Sequence, residues 1–195
     1  MNALDSALRA IVADLRSQRV GFALVGGLAV SAWVEPRFTR DADLAISVED
    51  DAQAEQLVAN LRTGGYSVLA IVELEAVGRL ATVRLERDGA IVDLLFASSG
   101  IEPEIVAAAV RTEILKGLTV PVASVGHLIA MKLLSSDRDR RPTDIADLQP
   151  LAGLASAEDW VLVSQACRAI EERGFGRGRD LILAATELRT RISPA

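Results

Sequence analysis

The chain has 195 residues, enough for one domain of ordinary size with a proper core and a small annex. Half of the residues are hydrophobic, only 4% are aromatic and 25% are charged, which excludes a disordered or collagen-like chain and leaves Ala, Val, Leu and Ile to build the core. A net charge of −6 excludes a general polyanion binder, and a single cysteine, Cys167, excludes an intramolecular disulfide framework and a zinc ribbon.

The elements follow in chain order. Leu4, Leu8, Ile11, Val12 and Leu15 recur at helical spacing, and Gly21 ends that helix. Phe22 to Val25 is a short apolar run, most simply a buried strand, broken by Gly26-Gly27. Leu28 to Val34 forms a helix that Pro36 closes. Asp43 to Val48 reads as a second strand, and Ala52 to Leu61 as a helix ended by Gly64-Gly65. Three strand-like runs come next, at 66–72, 80–85 and 90–96. Asp88-Gly89 lies between the last two and signals a hairpin.

Beyond Glu102 the pattern turns helical, with candidates at 105–110, 125–134, 144–151, 160–170 and 179–188. Pro121, Pro142 and the glycines at 174, 176 and 178 punctuate them, and Ser156-x-x-Asp159 resembles a capping box. The expected architecture is α+β. A mixed β-sheet core flanked by helices fills residues 1–118, and a C-terminal helical part fills 119–195. The two parts differ in charge. Residues 1–110 hold 9 basic and 16 acidic side chains, residues 111–195 hold 12 and 11. Only Lys116 and Lys132 are lysines; the other 19 basic residues are arginines.

No segment has the length of a membrane span. The longest apolar stretch, Phe22 to Val34, has 13 residues, against about 20 for a crossing. The N-terminus lacks the basic head and long apolar run of a secretory signal, so the expectation is a cytoplasmic protein.

The chemistry concentrates in Leu24-Val-Gly-Gly-Leu-Ala-Val30 and Arg37-Phe-Thr-Arg-Asp-Ala-Asp43. Asp41 and Asp43 stand two apart at the entry to a strand, so both point to one face, about 6.6 Å apart along the chain. Ionised carboxylates so placed repel, and a divalent cation resolves the conflict. Gly26 and Gly27 lie between a strand and a helix start, where bare backbone and free N–H groups receive a phosphate. An anion site beside a dication site suits a nucleoside triphosphate with its metal. Asp93 interrupts the otherwise apolar run Ala90-Ile-Val-Asp-Leu-Leu-Phe96, and such burial needs a compensating partner.

A hydrophobic residue, Gly-Gly, 13 intervening residues and then Asp-x-Asp resembles the signature of the DNA-polymerase-beta-like nucleotidyltransferase superfamily. Pro121 to Ser124, His127-Leu-Ile-Ala-Met-Lys132 and Arg141-Pro-Thr-Asp-Ile-Ala-Asp147 resemble its AbiEii-type branch, minimal nucleotidyltransferases that include toxins of toxin–antitoxin systems. The resemblance runs from about Val20 to Leu151. It implies transfer of a nucleoside monophosphate from a triphosphate to an acceptor, with pyrophosphate released. It makes Asp41, Asp43 and Asp93 the catalytic residues and the ligands of Mg²⁺ or Mn²⁺, with Asp93 also helping to deprotonate the acceptor. Gly26 and Gly27 cradle phosphates, Lys132 neutralises triphosphate charge, Thr39 and Arg40 assist, and Asp144 and Asp147 orient Lys132 or the nucleotide.

The acceptor implied is RNA, such as a tRNA end, or protein. A small antibiotic-like molecule is the alternative within enzymes, and a non-catalytic nucleotide- or partner-binding module is the alternative outside them. An antitoxin is a further implied partner. His127 is expected to pack or cap at a helix start, and Cys167 to be a small core residue. Gly174-x-Gly-x-Gly178 reads as an interhelical loop whose arginines, Arg173, Arg177 and Arg179, could reach an acceptor. The run Arg138-Asp-Arg-Arg141 is a solvated turn adjoining the site.

Overall fold

The structure, a computed structural model, describes residues 3–35, 39–136 and 142–192. The closing role of Pro36, the side chains of Arg37 and Phe38, and the 138–141 turn lie outside the described residues.

Seven strands form one sheet in the order β3-β4-β5-β2-β1-β7-β6. Its central strand is β2 (Asp41–Ser47), antiparallel to β1 (Gly21–Val25) on one side and parallel to β5 (Ala90–Leu95) on the other.

 β5 lies inside the sheet, at neither edge. β3 (Ser67–Leu74) and β4 (Arg79–Arg87) extend the sheet beyond β5 in antiparallel pairs. The β4–β5 hairpin turns where the sequence places it. Asp88 and Gly89 both have positive φ, 53° and 79°, as a two-residue turn matched to strand twist requires.

On the other side, β7 (Leu118–Val122) runs parallel to β1, and β6 (Val110–Leu115) is its antiparallel edge partner. This hairpin corrects the expectation that the chain is mostly helical from Glu102 onward. The helix expected at 105–110 is α4 (Glu102–Ala107), and Val110 already belongs to β6. Pro121 sits inside a strand rather than between elements. β7 joins β1 only at Leu24↔Val122, so the N–H that Pro121 lacks is not needed there. The sheet thus continues to Val122.

Helix α1 (Ala3–Ser17) buries Ala7, Leu8, Ile11, Val12 and Leu15, its predicted stripe with Leu4 only partly covered. α2 (Gly26–Trp33) begins two residues earlier than predicted, so the glycines open the helix rather than precede it. α3 (Asp51–Thr63) is capped by Asp50, whose side chain accepts from the Gln53 N–H. The helical part comprises α5 (Val125–Ser135), α6 (Pro142–Leu154), α7 (Ala157–Glu172) and α8 (Leu181–Ile192). α5 packs against the other three, and Ser156 and Asp159 form the expected capping box of α7. One apolar core joins sheet and helices, and Cys167 is buried in it, its thiol pushed up to about 12 by burial. Among the described residues no helix is long and apolar enough to cross a membrane.

Candidate active site

The end of β1 meets α2 at Gly26. Its φ is +64°, and a Cβ there would lie 1.9 Å from Asp43 Oδ2, so only glycine fits between the helix start and the carboxylate. Val25, the residue before the helix, offers no side-chain cap, which leaves the first N–H groups of α2 open to an incoming anion.

Asp41 and Asp43 occupy alternate positions of β2, one strand over from Asp93 on β5. Asp43 pairs in register with Asp93, so the three carboxylates share one face across two parallel strands. Burial, then repulsion from Asp93 and Asp41, pushes the Asp43 carboxyl up to about 6, against the opposing pull of Lys132 and Arg84.

A side chain that the sequence reading passed over completes this cluster. Arg84 on β4 stands opposite Asp93. Its Nε donates to Asp93 Oδ1 at 2.8 Å and its Nη2 to Oδ2 at 2.6 Å, and the same Nη2 lies 3.7 Å from Asp41 Oδ2. These contacts hold the guanidinium firmly protonated, the bond to Asp93 first among them. A signal for Arg84 exists in the sequence. The Asp88-Gly89 turn pairs Arg87 with Ala90, and counting back along both strands puts Arg84 across from Asp93.

Lys132 comes from α5, and its Nζ donates to Asp144 Oδ1 at 2.5 Å and to Asp147 Oδ2 at 2.9 Å, both on α6. All three are buried. A cleft of about 840 Å³ joins the two clusters, lined by Gly26, Gly27, Thr39, Arg40, Asp41, Asp43, Asp93, Lys132 and Asp144. Asp147 is not among its lining residues and contacts Lys132, which lines it. Of the three glycine-loop arginines, Arg177 lines the cleft and donates to the Ser98 carbonyl. Arg173 binds Glu104 and the Gly100 carbonyl, and Arg179 binds the Leu133 carbonyl and Ser136. His127 packs as expected at the start of α5, with Nδ1 2.9 Å from the hydroxyl of the capping residue Ser124.

The carboxylates supply the hard oxygen donors that Mg²⁺ or Mn²⁺ prefers. Their mutual repulsion, seen in Asp43, is the electrostatic condition a cation relieves. Among the described residues, no three acidic, histidine or cysteine side chains stand close enough to hold an ion as they are, and Arg84 already holds both oxygens of Asp93.

A helix start against an Asp-x-Asp strand, with a third Asp in register on the next strand, is the arrangement that the resemblance to nucleotidyltransferases implies. The model of the nucleotidyl transferase AbiEii toxin family, of type IV toxin–antitoxin systems, matches residues 7–192. The chain belongs to this family and is a transferase of phosphorus-containing groups.

Solved structures show the same fold. The antibiotic-resistance factor ANT(2'')-Ia is 19% identical, with a TM-score of 0.57 over 96% of this chain and 97% of that one. A nucleotidyltransferase-like antigenic protein from Paracoccidioides brasiliensis is 22% identical, with a TM-score of 0.53 over 94% and 92%. The lincomycin-bound lincosamide antibiotic adenylyltransferase LnuA is 16% identical, with a TM-score of 0.52 over 80% and 100%. No curated protein sequence matches the chain.

Proposed function

We propose that the protein transfers a nucleoside monophosphate from a nucleoside triphosphate to a hydroxyl of RNA or protein, in a divalent-metal-dependent reaction, as a toxin of a toxin–antitoxin pair. The observation that carries this reading is the register of Asp43 with Asp93, with Asp41 on the same face and Gly26 closed against Asp43.

Asp41, Asp43 and Asp93 would hold Mg²⁺ or Mn²⁺, which when bound neutralises developing charge on the phosphoryl oxygens. Gly26, Gly27 and the start of α2 receive the phosphates through backbone N–H groups. Lys132, fixed by Asp144 and Asp147, sets a positive charge beside them, and Thr39 and Arg40 flank the same cleft. The acceptor oxygen attacks the α-phosphorus and the bond to pyrophosphate breaks. Asp93 draws the proton from the acceptor hydroxyl as the new bond forms.

The cleft volume favours a second reading. About 840 Å³ is the size of a small-molecule site, and Ala70, Val72, Leu74 and Leu95 give it an apolar wall beside Asp93. That lining suits a small hydroxylated acceptor, and LnuA, which shares the fold, is a lincosamide antibiotic adenylyltransferase solved with lincomycin bound. The net charge of −6 agrees with a small RNA footprint, such as a tRNA end, rather than a long one. We assign the protein to the cytoplasm, in keeping with such an acceptor and with an antitoxin partner.

The deciding experiment incubates the protein with each labelled nucleoside triphosphate, Mg²⁺ and total RNA or protein. Label should enter the macromolecule and vanish with EDTA or Asp43→Ala. Label only in added small acceptors would establish the second reading. No Mg²⁺-dependent transfer to any acceptor would overturn both.

A further inference from the structure

We propose that Arg84 is a resident counter-ion of Asp93 that a divalent cation must displace, so that the cation-free protein keeps its third carboxylate closed. The inference rests on the reading above that Asp41, Asp43 and Asp93 form the cation site.

The fork of Arg84 takes both oxygens of Asp93, at 2.8 and 2.6 Å, and its Nη2 also leans toward Asp41. The guanidinium therefore stands between two of the three carboxylates, where a cation bridging them would have to enter. A permanent positive charge at that point repels a dication and occupies the donor oxygens it needs. This accounts for three carboxylates on one sheet face that do not converge into a ligand set.

The contact is also built to open. Arg84 projects from β4 toward the cleft, while its neighbours Val83 and Leu85 are buried and anchor the strand. Its side chain is 46% exposed, whereas the Asp93 side chain is 10% exposed. The guanidinium can thus swing away without disturbing the core, and Asp93 cannot. Exchange is possible because the guanidinium end is in water, and because a bound cation would take over the charge that the buried Asp93 needs beside it. The same cleft receives the triphosphate, whose oxygens offer the released guanidinium a new bidentate partner. Cation and triphosphate then favour each other's binding through Arg84.

Mn²⁺ binding to the nucleotide-free protein, followed by electron paramagnetic resonance, tests this without turnover. Arg84→Gln should bind Mn²⁺ about three- to tenfold more tightly than wild type. In an Asp93→Asn background the same substitution should give a much smaller gain. Equal affinities for Arg84→Gln and wild type, with Asp43→Asn weakening both, would overturn the role of Arg84 and leave the carboxylate site standing. Binding indifferent to both Asp41→Asn and Asp43→Asn would overturn the site and the proposal together. Should Arg84→Gln lack a thermal transition, Arg84→Lys replaces it. A single ammonium grips Asp93 less well than the fork, so Mn²⁺ should bind about twofold more tightly. An unchanged constant in that variant overturns the proposal.

Discussion

The sheet and the helical part each set one basic side chain against two carboxylates, but in opposite ways. Arg84 lies across Asp93 and Asp41 with its side chain 46% exposed, reaching from β4 over two strands whose register sets the acids side by side. Lys132 lies between Asp144 and Asp147 with its side chain 9% exposed, so that one ammonium ties α5 to α6. The open pair can exchange its partner for a ligand. The closed cluster can only position a charge. The difference shows how one cleft combines an adjustable half with a rigid one. Removing the closed cation should unsettle the fold, and removing the open one should chiefly alter binding.

The largest effect is expected from Lys132→Ala. It removes the ammonium from two buried carboxylates, and breaking buried pairs of this kind costs about 3–5 kcal/mol. Urea unfolding should show that loss together with near-complete loss of transfer. A variant as stable as wild type would break the comparison, because Lys132 would then be as loosely held as Arg84.

Gly26→Ala comes next. The new Cβ meets Asp43 Oδ2 at 1.9 Å, at a φ of +64°. Strain of this kind costs about 1–3 kcal/mol. The substitution should displace Asp43 or the start of α2, reducing transfer at least tenfold while a chevron or urea curve shows a folded protein. Full activity would mean that the strand half of the site tolerates movement even in its backbone.

How much of this was legible depends on the range of the signal. Asp41 and Asp43 are legible as two carboxylates two apart at the entry to a strand, Asp93 as a charge inside an apolar run, and Gly26-Gly27 as a break between a strand and a helix. The β6–β7 hairpin was hidden. Val110–Leu115 is a partly exposed edge strand with Arg111 and Glu113 in it, and Pro121 looked like a boundary. Arg84 was missed for a different reason. A charged residue alternating with Val83 and Leu85 is what any half-exposed strand shows, and only the register set by Asp88-Gly89 brings it to Asp93. The pairing of Lys132 with Asp144 and Asp147 depends on how α5 and α6 meet, which no local pattern encodes.

A smaller effect sharpens the rigid side. His127 shares α5 with Lys132 and is buried, which lowers its pKa from the ordinary value, with Glu104 and Asp159 pulling weakly the other way. The fold therefore favours the neutral ring, while the unfolded chain takes up the proton first as pH falls. Stability should decline from about pH 6.5 downward until the folded ring also titrates. His127→Gln should cost about 1 kcal/mol at pH 8 through the Ser124 contact. That cost should shrink in acid, as thermal melts across pH 5–8 would show. A constant difference would mean that the ring is not held neutral.

The smallest effect on stability is expected from Arg84→Ala. The pair is bidentate and short, yet half of the arginine is in solvent, and screened pairs contribute about 0–1 kcal/mol. Its loss also leaves Asp41, Asp43 and Asp93 to repel one another without a guanidinium between them. The melting temperature in EDTA should therefore fall slightly, and Mg²⁺ should raise it more than it raises that of wild type, since the ion then supplies the missing positive charge. The Lys132 variant should show no such recovery, because its buried carboxylates belong to the helix pair and not to the strand face. Equal responses of the two variants to Mg²⁺ would erase the distinction between an exchangeable cation and a fixed one.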